Sequence, residues 1–299
     1  MPQPLMPRPF VPQPLGFCFL FAIGLMIFGQ MAARATEPRA RLAEALVFHA
    51  PFDSGFDARL GAEPGIFTAE SYERTQSQPG NHRSDVTIIP DGGRYGGALR
   101  FGDNAGKVLY FRGSNIPFSR ADWSGTVSFW LRLDPDKGLK PGYSDPIQIT
   151  DKAWNDSGMW VDFDEKLPRA CRLGMFPRMS VWNPDNIAWE QFPPELRPMV
   201  PVLRPAFNDR LWTHVAFTFQ DVNASGDEIS SASFYLHGIH QGTLRRKLEF
   251  DWDPDKVAIM LGLSFIGDFD DLTIFNRALS GDEVEFLRTL SRGAAELAR

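Results

Sequence analysis

Four aspartates in two clusters are the first candidates for chemistry. Asp53 and Asp57 follow one apolar segment, and Asp270 and Asp271 interrupt another. Carboxylates are hard oxygen donors of the kind Ca²⁺ takes, together with backbone carbonyls at special turns, and the Gly96-Gly97 pair can turn a carbonyl outward. The competing use of such aspartates is to cap turns by accepting hydrogen bonds from backbone amides. Asp162 and Asp164 alternate with Phe163, so on a strand both carboxylates face one way. A retaining glycosidase needs two carboxyl groups about 5 Å apart, but Pro168 follows closely and reads as a strand end. His49, His82, His214, His237 and His240 are scattered, with no His-Glu-x-x-His and no Gly-x-Ser-x-Gly, so neither a zincin nor an α/β hydrolase is indicated. His237 and His240 bracket a hairpin turn, and a metal held by that pair is the minor reading.

Aromatic side chains are the other resource, because sugar rings stack on tryptophan faces while polar neighbours hydrogen-bond the hydroxyls. Trp154, Trp160, Trp182 and Trp189 lie in or beside residues 177–206, a stretch that carries seven prolines. Proline at that density does not enter a central ladder, so the stretch is expected to be a long surface excursion between strands. A ligand site is expected where this excursion meets a concave sheet, with Trp182 and Trp189 as the best platforms. The structural alternative is a rigid cover whose aromatics close the core.

The elements that must position these residues are short strands rich in Val, Ile, Phe, Trp and Thr, separated by Gly, Pro, Asn and Asp clusters. Strands are expected near 45–52, 86–89, 97–101, 107–112, 125–133, 146–151, 158–164, 171–176, 211–220, 231–237, 240–248, 257–262 and 268–276. In Thr126-Val127-Ser128-Phe129-Trp130-Leu131-Arg132-Leu133 the apolar residues share one face, which belongs to the core. The opposite face, with Trp130 among small polar groups, suits a concave sheet. Convincing helix is expected only at the end, where Ser280 and Glu283 form a capping box before Val284, Phe286, Leu287 and Leu290. Many strands and one helix predict sheet packed on sheet.

The ending Asp270-Asp271-Leu272-Thr273-Ile274-Phe275-Asn276-Arg277-Ala278-Leu279-Ser280 resembles the last strand and turn of laminin-G-like domains in the concanavalin A-like lectin/glucanase superfamily. Leu46 to Asp53 is similar to that family's opening strand, Gly93 to Phe101 to its glycine-rich turn, and Thr126 to Leu131 to its central strand. Trp212 to Phe219 and Phe234 to Gly238 complete the order, so the resemblance covers most of residues 46–290. It implies an all-β, two-sheet antiparallel jelly-roll sandwich over 42–292 with a short C-terminal helix, its first and last strands neighbours. It also implies a structural Ca²⁺ near those strands, with Asp53 and Asp271 as favoured ligands and Asp270 beside them. The glucanases of this fold carry two glutamates flanking an aspartate on one strand, and no such Glu-x-Asp-x-x-Glu occurs here.

The N-terminus reads as a secretory signal over 1–35, with an apolar run at 15–28 and small residues at Ala33-Arg34-Ala35. The run is shorter than the roughly 20 residues a membrane span requires, so cleavage and export are expected, with a retained anchor as the alternative. Without Arg8 and Arg34, 29 basic residues face 37 acidic ones, a balance of about −8. That excludes a nucleic-acid partner, which needs a clustered basic face. Cys171 is the one thiol beyond the signal, so no internal disulfide is expected. These readings converge on an exported, non-catalytic recognition domain for a glycan or an extracellular or envelope protein. A glycoside hydrolase or lyase with degenerate motifs and an envelope assembly protein are the alternatives.

Overall fold

Alternation along one strand decides which way the central sheet faces. In a computed structural model of the chain, Val127, Phe129, Leu131 and Leu133 all lie in the main hydrophobic core, as their period of two predicts. The structure describes Met1 and residues 37–103 and 106–298; the expected signal segment, with its apolar run, falls outside these save for Met1. Residues 1–41 and 42–299 separate as two units. In the first, the described residues 37–41 are helical and Arg41 pairs with Glu37 at 2.8 Å. Among the described residues no helix is long and apolar enough to cross a membrane.

Among its described residues the second unit carries sixteen strands. They are β1 (Leu46–Ala50), β2 (Ile66–Ala69), β3 (Ser77–Pro79), β4 (Val86–Ile89), β5 (Ala98–Phe101), β6 (Val108–Arg112), β7 (Trp123–Arg132) and β8 (Ser144–Thr150). There follow β9 (Gly158–Phe163), β10 (Cys171–Phe176), β11 (Met199–Val202), β12 (Thr213–Val222), β13 (Ser230–Leu236), β14 (Ile239–Arg246), β15 (Ala258–Leu263) and β16 (Gly267–Phe275). One sheet runs β14-β13-β12-β7-β16-β5-β4 with β1 also on β16, and the other runs β11-β10-β9-β8-β15-β6-β2-β3. All described pairings are antiparallel, which is the two-sheet sandwich expected from the strand pattern.

The first and last strands are neighbours, as the resemblance implied: Ala50 stands opposite Leu272 and Leu46 opposite Phe275. One edge of β16 is shared, its Gly267–Phe269 part pairing with β5 and its later part with β1. Asp270 and Asp271 occupy the changeover, where the register with β7 also shifts and Asp271 takes a left-handed φ of 50°. A bulge of this kind re-aims side chains that simple alternation would send to opposite faces.

The C-terminal helix Gly281–Thr289 starts on the expected capping box, with Glu283 N donating to Ser280 Oγ at 3.2 Å and Ser280 N to Glu283 Oε2 at 3.0 Å. Val284, Leu287 and Leu290 bury against Leu42, Leu46, Ala216, Tyr235 and Phe275. That packing corrects one expectation. The outer face of the β7 sheet is not an open concave surface, because Trp130 is 4% exposed and packed against Arg94, Tyr95 and His214. Helix is also not confined to the end, since residues 42–45 of this unit are helical.

The excursion is shorter than expected. It holds a helical turn at Met179–Trp182 and another at Pro194–Leu196, then rejoins the second sheet as β11. Pro201 is accommodated because β11 is an edge strand, where a missing amide costs no ladder bond.

Candidate ligand-binding cleft

The open face belongs to the second sheet. Along β8, β9 and β10, Ile147, Ile149, Met159, Val161, Leu173 and Met175 enter the core. The intervening positions therefore turn outward, and they are Gln148, Trp160, Asp162, Arg172 and Gly174. A cleft of about 320 Å³ opens over them, lined by Tyr143, Asp145, Gln148, Trp154, Trp160, Asp162, Arg172, Trp189 and Glu190.

Gly174 sets the floor. It stands opposite Trp160, and a Cβ there would fall inside the indole ring, so glycine is what lets the tryptophan lie on the sheet. Gly174→Ala is expected to cost about 1–3 kcal/mol through overpacking, measured by denaturant unfolding, with Trp160 displaced into the cleft.

The excursion builds one wall. Trp182 is 4% exposed, packs edge-on against Phe176 and Phe192, and donates its Nε1 to Asn155 O at 2.8 Å. It is a buried support and does not line the cleft, contrary to its expected role as a platform. Trp189 does line it, meeting Trp154 at 5.2 Å with Arg197 stacked 3.8 Å from its ring. Trp154 is 36% exposed and presents the most open indole, while Trp160 is buried beneath it with its Nε1 donating to Trp154 O. The structure thus brings Trp154, Trp160 and Trp189 together and leaves Trp182 behind them.

Of the polar groups of the cleft, the sequence singles out Asp162, as half of a carboxylate pair with Asp164, but not Arg172, Asp145 or Gln148. Asp162 and Arg172 stand opposite each other across β9 and β10 in a two-pronged pair, Arg172 Nε donating to Asp162 Oδ1 at 2.8 Å and Nη2 to Oδ2. Burial pushes the Asp162 carboxyl up to about 6 even against the pull of Arg172, whose guanidinium the pair holds firmly protonated. Asp164 lies 3.9 Å from Arg172 Nη1. Asp162 is therefore committed to a guanidinium and is not a free nucleophile. Asp145 lies within the register shift between Ser144 and Ile147; burial first, and then the Asp162 charge, raises its carboxyl well above the ordinary range. Gln148 donates its amide to the Tyr72 hydroxyl.

The expected acidic site lies on the other sheet and divides in two. Asp271 Oδ1 meets His49 Nε2 at 2.7 Å and Oδ2 accepts from Ala294 N at 3.2 Å, so both its oxygens are engaged. Asp270 Oδ2 accepts from Arg94 N at 2.7 Å and Tyr95 N at 3.0 Å, while its buried Oδ1 has no partner. Asp53 meets the same glycine turn, its Oδ1 packed on Gly96 and its Oδ2 3.1 Å from Arg59 Nη2. Burial, followed by the Asp271 charge, pushes Asp270 up to about 8. Among the described residues no three His, Cys, Asp or Glu side chains converge in a way that could hold a metal, so a cation here would draw on backbone oxygens as well. His214 is buried with Nε2 2.8 Å from Ser128 Oγ, and burial pulls it down to about 3, which makes it a neutral structural group.

No protein-family profile and no curated protein matches the sequence. Solved structures do match in fold. One is domain 4 of AbnA, a GH43 extracellular arabinanase from Geobacillus stearothermophilus, in complex with arabinotriose (TM-score 0.51, 14% identity, 81% of this chain and 97% of that chain). A second is the binding domain of Paraclostridial mosquitocidal protein 1 (TM-score 0.51, 15% identity, 83% and 52%). A third is the botulinum neurotoxin serotype D binding domain (TM-score 0.52, 9% identity, 83% and 52%), so the chain spans about half of each toxin structure. At these identities the likeness establishes the fold alone, that of a two-sheet antiparallel β-sandwich.

Proposed function

We propose that this chain is an exported, non-catalytic recognition domain of the laminin-G-like kind that binds a carbohydrate in the cleft over β8, β9 and β10. The observation that carries the reading is the cleft itself. Exposed rings at Trp154 and Tyr143 and the half-buried indole of Trp189 surround a small set of polar groups, which is the composition that sugar rings and their hydroxyls require. The solved complex of the similar arabinanase domain with arabinotriose supports a glycan as the partner class. Catalysis is disfavoured because Asp162 spends both oxygens on Arg172.

The fold family also implies a structural Ca²⁺. The orphaned Oδ1 of Asp270, the neighbouring Asp53 and the carbonyls of the 93–97 turn fit such an ion better than Asp271 does. We propose it as a brace between the β1 end and β16, with no part in ligand binding.

A glycan array, followed by titration of the best binder, tests the function. Trp154→Ala is expected to weaken binding by about 1–2 kcal/mol, roughly 5–30-fold, with the fold retained and a modest fall in melting temperature from the lost contacts with Phe176 and Trp189. An array without binders, in calcium and in chelator alike, would sink the reading.

A further inference from the structure

Taking that carbohydrate site as its premise, we propose that the cleft selects sugars bearing a free ammonium group, deacetylated amino sugars, over neutral and acidic ones, with Asp145 as the residue that reads the charge.

The charges of the lining point that way. Asp145, Asp162 and Glu190 face one cation, Arg172. That guanidinium is already spent: it holds both oxygens of Asp162, approaches Asp164, and lies over the rings of Tyr143 at 5.0 Å and Trp160 at 5.6 Å. Arg197, behind Trp189, donates to the carbonyls of Trp189 and Phe192 and does not line the cleft. A uronate, sulfate or sialate would therefore meet carboxylates with no free cation to receive it.

Asp145 supplies the positive part of the argument. No described residue donates a hydrogen bond or an ion pair to its carboxyl, although Asp162 and Arg172 pair beside it. Its neighbour Gln148 has turned its amide donor to Tyr72. The carboxyl is half-buried, opens on the cleft and has no protein donor, so a ligand seated there can supply one. A hydroxyl would satisfy its hydrogen bonding but leave its charge in place. An ammonium does both, and the rings of Trp154 and Tyr143 add attraction for a cation lying over them. Because burial and the Asp162 charge raise the Asp145 carboxyl, the free cleft holds a proton there over part of the acidic range, and docking an ammonium expels it.

Isothermal titration of glucosamine oligomers, N-acetylglucosamine oligomers and oligogalacturonate, at a pH where the amine is charged and in high salt, tests this. The deacetylated oligomer is expected to bind at least 10-fold more tightly than the acetylated one, and the uronate not at all. In weakly acidic buffers of different ionisation enthalpy, amine binding is expected to release protons. Asp145→Asn should erase both the preference and the proton release, and should itself melt at a higher temperature at neutral pH. Asp227→Asn, an exposed change far along the chain, should keep the full preference and so excludes non-specific attraction to an acidic protein. Equal affinities for the two hexosamines, or a preference for the uronate, overturns the proposal while leaving a Trp154-dependent glycan site intact. Absence of any Trp154-dependent glycan binding overturns both.

Discussion

Asp270→Asn is expected to stabilise the metal-free protein by about 4 kcal/mol at pH 9 and by close to nothing at pH 4. The folded-state carboxyl, at about 8 against an ordinary 3.8, is raised, so the unfolded chain ionises first. Between those two values the native state holds the extra proton, and native stability falls as pH rises through the window. Roughly four units at about 1.4 kcal/mol each set a ceiling near 6 kcal/mol. Asparagine recovers less, because its amide nitrogen inherits the position of the unpartnered Oδ1. Its carbonyl can still accept from Arg94 N and Tyr95 N, so the turn should hold. Thermal melts of both proteins from pH 4 to 9 check this. The same melts in calcium decide the proposed brace: a bound ion would raise the unmutated protein at pH 8 and leave the variant where it was. Identical melts in calcium and chelator would end the calcium reading, and the pH dependence would then stand as the cost of a buried carboxylate.

Much of this architecture was readable from period and punctuation. The segment 126–133 announced its core face, Ser280 and Glu283 their helix start, and the pairing of β1 with β16 followed from resemblance. What escaped is instructive. β3, Ser77-Gln78-Pro79, is exposed throughout and has no apolar alternation to betray it; its ladder is set by the neighbouring β2. β11 hid behind the prolines that flank and enter it, because edge position, which tolerates Pro201, is a tertiary property. Which sheet would be left open was equally invisible. Trp130 and Trp160 sit in similar alternating contexts, yet the C-terminal helix and the 93–97 turn cover the sheet of the first and not that of the second. Once the helix had been read, its apolar stripe required a sheet face to cover, and that was the signal available.

The site was half legible for the same reason. Tryptophans attract attention by type, so Trp154, Trp160 and Trp189 were named, and Trp182 with them, although depth alone separates platform from support. Arg172 and Asp145 carry no motif. Their signal was polar residues at the outward positions of strands whose other positions are Ile, Leu and Met, as in Cys171-Arg172-Leu173-Gly174-Met175.

Arg172→Met is expected to cost about 3–5 kcal/mol and to abolish ligand binding, because it strips a buried carboxylate of its counter-ion while leaving the carboxylate in place. The guanidinium is 6% and Asp162 5% exposed in their side chains, so water cannot substitute for the lost partner. Asp162 would then rise further and take up a proton, and the variant should recover part of its stability on acidification, where the neutral carboxyl is tolerated. The unmutated pair makes the opposite comparison possible. Asp162→Leu combined with Arg172→Met removes both charges, and the double variant is expected to be more stable than Arg172→Met alone, within about 1–2 kcal/mol of the unmutated protein. Methionine also keeps part of the packing over Trp160 and Tyr143 that the arginine stem provides. If the single and double variants unfold at the same denaturant concentration, the pair is not coupled. The floor of the cleft would then owe its shape to Trp160 on Gly174 alone.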